Sequence, residues 1–160
     1  MTVANDKVAK HFANSDITEK SELASKTLTA NGSTAWSYST VIAQKLDNGI
    51  ILLSRNTMTP TTSRHLSELR CALGYYNTNV VEVPMQMYSS RISINDIKQS
   101  FTEDLKYHLK YPQGLSRREN RTALRQLWKD ALDFDSKVEP FLDDTMKVQI
   151  GRLIGTMKQD

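Results

Sequence analysis

The chain has 160 residues, of which 39% are hydrophobic and 24% charged, the balance of an ordinary folded protein and not of a disordered one. A single cysteine, Cys71, excludes an internal disulfide and points to a reducing compartment. The net charge of +3 is too small to imply nucleic acid by itself, and no apolar run approaches the roughly 18 to 20 residues that span a bilayer.

One domain over residues 1–160 is expected at this length. The stretch from Met1 to Lys20 carries charges throughout and lacks the apolar core of a secretion signal, so a cytoplasmic protein is expected. Residues 1–35 are polar, with scattered apolar positions at Val3, Val8, Phe12, Ile17 and Leu23. They predict a short helix around Val3 to Phe12, a weaker one around Thr18 to Lys26, and a loosely held arm or cover.

From Trp36 the chemistry favours strand. Trp36, Tyr38 and Thr40 alternate with small polar residues, and Val41-Ile42-Ala43 continue the run. Asn48-Gly49 then signals a type I′ hairpin turn, with Ile50 to Leu53 as the return strand. Thr61, Thr62 or Ser63 offers a cap for a helix bearing Leu66, Leu69 and Leu73, which Gly74 ends. Val80, Val81 and Val83 read as a third strand up to Pro84, with an extension over Gln86 to Tyr88.

Three helices complete the chain, over residues 91–160. The first follows Ser93-Ile94-Asn95-Asp96 and carries Ile94, Ile97, Phe101, Leu105 and Leu109 on one stripe. Ser116-Arg117-Arg118-Glu119 is a capping box before Leu124, Leu127, Trp128 and Ala131. Ser136-Lys137-Val138-Glu139 is another, with Pro140 in the first turn and a stripe from Phe141 to Met157. The expected class is α+β: a small antiparallel sheet of a hairpin and a third strand, helices packed on one face, and a helical C-terminal half.

No catalytic, metal or cofactor site is supported by these residues. Cys71 and His65 lie six apart on one helix, about 240° around the axis, and cannot pair. The reading for Cys71 is a small, half-buried helix residue. His11, His65 and His108 have no ligand-spaced partner. Asp143 and Asp144 suit the start of a helix, where they complement its dipole.

The one constellation above background is basic. Between Lys110 and Lys129 six cations (Lys110, Arg117, Arg118, Arg121, Arg125, Lys129) stand against Glu119 alone, a local charge of +5. Arg117, Arg121, Arg125 and Lys129 recur every fourth residue as a ridge, and Arg118 flanks it. Arginine forks suit phosphate or carboxylate, and such a ridge would bind nucleic acid with a steep salt dependence. The next stretch, Asp130 to Asp144, holds six acids against Lys137, and an antiparallel return could neutralise the ridge as solvated ion pairs. Both readings stand. Trp36 and Tyr38, two apart on one expected strand face, are candidate aromatic contacts, against a bland role in sheet packing; Tyr75 and Tyr76 could extend them.

The run Ala35-Trp36-Ser37-Tyr38-Ser39-Thr40-Val41-Ile42-Ala43, the turn Asp47-Asn48-Gly49, and Thr61-Thr62-Ser63-Arg64-His65-Leu66 form an ordered set. Over residues 35–73 it resembles a module common in small bacteriophage and plasmid proteins. The resemblance brings no activity and no functional residue. It implies a gene of a virus or mobile element, whose products often bind a host macromolecule.

The resulting expectation is a non-enzymatic accessory protein that binds a host protein or protein–nucleic-acid complex, such as an anti-CRISPR inhibitor of a defence nuclease. The basic balance excludes a DNA mimic. The alternative is direct binding of DNA or RNA by the basic helix. The sequence leaves the partner and the oligomeric state open.

Overall fold

The computed structural model describes residues 3–55, 59–84 and 93–159. The chain divides into two compact units, Met1–Ser93 and Ile94–Asp160. Together they are α+β, with the strands all in the first and the second wholly helical among the described residues.

The first unit runs α1 (Asn5–Asn14), β1 (Leu23–Ala24), β2 (Leu28–Ala30), β3 (Thr34–Ser37), β4 (Thr40–Lys45), β5 (Ile51–Ser54), α2 (Pro60–Leu73) and β6 (Val80–Val83). The six strands form one sheet in sequence order. Neighbours pair antiparallel except the last, where β6 runs parallel to β5. A parallel pair needs a crossover, and α2 supplies it. The sheet is therefore mixed, and larger than a hairpin plus one strand.

From Val3 onward the N-terminal stretch is the cover of the two forms expected for it, not a loose arm. Val8, Ala9 and Phe12 fall at helical spacing, and all three are fully buried. They share one core with Leu28, Ala30, Ala35, Ile42, Ala43 and Leu53 from the sheet and Leu66 and Leu69 from α2. Burying a phenylalanine such as Phe12 contributes about 1.5 to 3 kcal/mol. The weaker helix expected over Thr18 to Lys26 is absent. Asp16 accepts from the amide and hydroxyl of Thr18, Glu19 does the same for Ser21, and the chain then enters β1. Such side-chain turns compete with helix at these positions.

Three of the four turns between antiparallel strands set the register of β2 to β5. Asn31-Gly32 joins β2 to β3, with Asn31 Oδ1 accepting from the amides of Ser33 at 2.9 Å and Thr34 at 2.8 Å. Gly32 lies under the 16–19 turn and donates to the Glu19 carbonyl. A Cβ there would collide with the Asp16 carbonyl oxygen and sit 2.9 Å from Glu19 Cβ. Tyr38-Ser39 joins β3 to β4, so the strand expected from Trp36 to Ala43 is two strands. At the third turn Gly49 has φ 86° while Asn48 stays at negative φ. Leu46 accepts from Gly49 and donates to Ile50, a three-residue loop with a glycine bulge in place of the expected type I′ turn.

The α2 helix starts two residues earlier than the first expected cap, Thr61, allows. Thr59 is the N-cap, accepting from the Thr62 amide, with Pro60 in the first position, where its missing N–H costs least. Gly74 closes the helix at φ 94°. The strand extension expected over Gln86 to Tyr88 lies outside the described residues.

The second unit contains α3 (Ile94–Lys110), a 3-10 turn (Pro112–Ser116), α4 (Arg118–Lys137) and α5 (Asp144–Thr156). Phe101, Phe134 and Phe141 meet with ring centroids 5.6 to 5.7 Å apart, and Leu105, Leu124, Ala131 and Ile150 are buried with them. Neither expected capping box forms. Ser116 belongs to the 3-10 turn, and Arg117 precedes α4 without a side-chain cap. Ser136 lies inside α4, which persists to Lys137 because Phe134 is anchored in the core; its hydroxyl bonds back to the Asp133 carbonyl. The last helix starts instead at Asp143, whose carboxylate accepts from the Met146 amide at 2.6 Å.

Asp135 holds the intervening loop, accepting from the amides of Phe141 at 2.7 Å and Leu142 at 2.8 Å. Burial pushes its carboxyl upward, but those amides and the Lys147 ammonium outweigh it and hold it below the usual carboxylate value. No described helix is long and apolar enough to cross a membrane.

Two glycines should respond oppositely to alanine. Gly32→Ala forces backbone apart and should cost about 3 kcal/mol. Gly151→Ala, at an open position inside α5 with nothing within 4 Å, should gain about 0.5 to 1 kcal/mol. Urea unfolding of both variants checks the pair.

Candidate functional site

The crossover helix carries the resemblance motif and turns part of it inward. Thr62 and His65, three apart on α2, face inward and are buried with Leu66 and Leu69. His65 is 0% exposed and uses both ring nitrogens. Its Nδ1 lies 2.8 Å from Ser37 Oγ, and its Nε2 lies 2.7 Å from Thr27 Oγ1. Ser37 Oγ continues to Thr62 Oγ1 at 3.1 Å, and Thr59 Oγ1 donates to Thr62 Oγ1 at 3.2 Å. The chain of side chains ties the helix cap to β3 and to the segment before β2.

Ser37 and His65 have the separation of a hydroxyl–imidazole pair, but Ser37 is only 2% exposed. No solvent-borne substrate reaches that oxygen. What the network does is fix the register of α2 on the sheet, since each buried polar group depends on the next. Burial holds the His65 pKa below its ordinary value of 6.5, and the Arg64 guanidinium pushes it the same way. The motif is thus more than a helix cap. A polar pair at i and i+3 on a helix's leucine face was the available signal for it. Cys71, on the same helix, is exposed and not half-buried as expected.

Trp36 and Tyr38 do not share a strand face. Trp36 sits in β3 opposite Val41 and Thr29 and is half-buried. Tyr38 occupies the next turn at φ 55°, a left-handed conformation that costs a bulky residue about 1 to 2 kcal/mol. Tyr38 is 61% exposed, and its ring lies 6.5 Å from that of His65. Tyr75 and Tyr76 are exposed on the separate connection between α2 and β6.

The basic ridge is broken in its middle. Arg121 is 5% exposed, and its Nη1 donates to the carbonyls of Leu115 at 3.0 Å and Ser116 at 2.9 Å. Those carbonyls end the 3-10 turn and would otherwise lack partners. Asn120 Nδ2 donates to the Gly114 carbonyl at 2.8 Å, beside the Arg117 amide that the same oxygen accepts. Arg121 is therefore structural. A four-residue spacing advances about 40° per step, so the expected ridge winds across the edge of the buried face.

The cations that reach solvent form a different set. Arg118, Arg125 and Lys129 fall within roughly 40° of one another around α4, over about 16 Å of its axis. Arg118 and Lys129 are exposed and Arg125 half-buried, with its Nη2 donating to the Lys158 carbonyl at 2.9 Å. Arg117 is exposed just before the helix. The acidic block has structural work of its own. Asp143 caps α5, Asp135 holds the loop, Glu139 pairs with Lys98, and Asp133 sits 3.9 Å from Lys137.

Two measurements follow from this geometry. Arg121→Ala should destabilise by about 2 to 4 kcal/mol, because it strands buried carbonyls, while Arg118→Ala stays within about 0.5 kcal/mol. Thermal melts of the two variants distinguish these costs. For His65, the unfolded ring takes its proton near 6.5 and the buried ring only at lower pH. Its stabilising contribution is complete above that value and is lost as pH falls below it. The stability difference between wild type and His65→Gln, from urea unfolding, should shrink between pH 7.5 and pH 5.

The model of a family of unknown function, DUF8033, matches residues 7–89. No curated protein and no solved structure matches the chain. The matched stretch runs from α1 through β6 and includes Ser37, Thr62 and His65 as well as the turns that bring them together. Since it spans more than half of the sequence, the chain belongs to the DUF8033 family of unknown function.

Proposed function

We propose that the protein is a non-enzymatic accessory protein of phage type that binds a host macromolecule through the cations of α4. The observation that carries this reading is the alignment of Arg118, Arg125 and Lys129 on one helix face, with Arg117 beside its start. Arginine's planar fork matches carboxylate and phosphate groups, so an acidic protein surface and a nucleic-acid backbone are both chemically suited. In its finer form the partner is a defence nuclease of the CRISPR type, contacted at an acidic patch or at a guide or target strand it holds. That form is supported by the resemblance to phage and plasmid proteins over residues 35–73.

Direct binding of bare DNA or RNA is the second reading, and the same stripe favours it. It requires an affinity that falls steeply with salt, because each phosphate contact releases a counterion. The inhibitor reading has no such requirement.

The test is an alanine triple variant at Arg117, Arg118 and Lys129, which are exposed and leave the Arg121 anchor intact. Partner capture from host lysate should be lost in the triple variant while its melting temperature is kept. Capture that survives in a folded triple variant removes the stripe from consideration. Fluorescence anisotropy with labelled duplex and single-stranded DNA and RNA, at about 50 and 200 mM salt, separates the two readings. Tight, salt-sensitive binding favours the second, and none at either salt favours a protein partner.

A further inference from the structure

In the first unit, a cavity of about 410 Å³ opens between the start of α1 and the first turn of α2. That volume lies within the range of small-molecule sites. Thr61 and Arg64, three apart on α2, line it from the side next to Thr62 and His65, about 100° around the helix. Lys26 and Thr27, from the connection between β1 and β2, line it from below, and Tyr38 from the β3–β4 turn.

The charge of this cavity is one-sided. Lys26 and Arg64 both contribute to its wall, and no carboxylate does among the described residues. Neither cation has an ion pair or hydrogen bond among the described residues. Two like charges brought to one concave surface repel unless an anion joins them. The α1 end of the cavity adds the uncharged Val3, Ala4 and Asn5 and the start of the helix. Its N-cap is Ala4, which has no side-chain oxygen to satisfy the first-turn amides.

Tyr38 supplies the other half of the observation. A tight turn at φ 55° is ordinarily the place of glycine or asparagine, yet here it holds a large aromatic ring at the cavity's edge, 61% exposed. Backbone strain retained to display a ring on a cationic cavity points to a ligand with a flat group beside its negative charge.

We propose that this cavity binds a phosphate monoester bearing a planar organic group, the chemistry of a nucleoside monophosphate. Arg64 and Lys26 hold the phosphate, the Thr61 hydroxyl donates to it, and the planar group lies on Tyr38. The buried chain Thr27–His65–Ser37 stands behind the wall and keeps Thr27 and α2 in place. The site is independent of the α4 stripe, since it uses none of the same residues.

The full-length protein is titrated with adenosine 5′-monophosphate, inorganic phosphate and adenosine at constant ionic strength, read by amide NMR shifts. The monophosphate and phosphate should shift residues 3–5, 25–27, 38 and 61–64 saturably, with the monophosphate several-fold tighter. Lys26→Gln with Arg64→Gln, both at exposed positions, should weaken either anion about tenfold or more. Tyr38→Gly should bring the monophosphate down to the affinity of phosphate and leave phosphate unchanged. The absence of saturable shifts at millimolar concentration overturns the site, as does undiminished binding in the double variant. Equal affinity for monophosphate and phosphate in the wild type overturns the role of Tyr38.

Discussion

The parallel pairing of β6 with β5 is the constraint on which the first unit depends. Antiparallel strands can be joined by a tight turn, but a parallel neighbour obliges the chain to return to the end of the sheet it left. The α2 helix makes that return, and its buried face must then be satisfied against the sheet. Leu66 and Leu69 do so by joining the core with Val8, Phe12 and Leu53. Thr62 and His65 do so by hydrogen bonding to Ser37 and, through His65, to Thr27. The position of α2 thus decides both the polar network and the Lys26–Arg64 cavity beside it.

Placing α2 this way leaves α1 with a defined role. The two helices share one core over the sheet, and without Val8, Ala9 and Phe12 the inward residues Leu28, Ala30 and Ala35 would face solvent. Lys45 fastens the far end of α1. Its ammonium donates to the Ser15 carbonyl at 2.6 Å and lies 4.9 Å from the centre of the Phe12 ring. Burial lowers its pKa, with Asp16 opposing the shift. The approach of the 16–19 turn to Gly32 belongs to the same closure, since only a residue without Cβ fits beneath it.

The helical unit obeys a different demand, the satisfaction of helix ends. The 3-10 turn leaves carbonyls at Leu115 and Ser116, and the chain reaches back from α4 with Arg121 to meet them, while Asn120 adds a second donor to Gly114. A positive charge is drawn inside as a consequence, and the exposed cations are those whose helical positions turn away from that end. Asp135 and Asp143 do equivalent work at the loop before α5. In this unit, charges that look like a binding pattern in sequence are partly the means of closing helices.

Local chemistry alone determined much of this. The α+β class, the helix around Val3 to Phe12, the return strand after Asn48-Gly49, the α2 stripe ending at Gly74 and the strand at Val80 to Val83 all follow from periodicity, turn residues and caps. The Asn31-Gly32 turn carried the same signal as Asn48-Gly49, but the polar composition of residues 1–35 obscured it. The rest needed tertiary structure, because it depends on which face of an element meets another. Whether Arg121 points to water or to the Ser116 carbonyl turns on where the 3-10 turn packs, and whether Ser136 or Asp143 starts the last helix turns on how the core anchors Phe134. That Thr62 and His65 turn inward while Thr61 and Arg64 turn outward is set by the crossover. Spacing along a helix fixes which residues share a side, and only packing decides which side is buried.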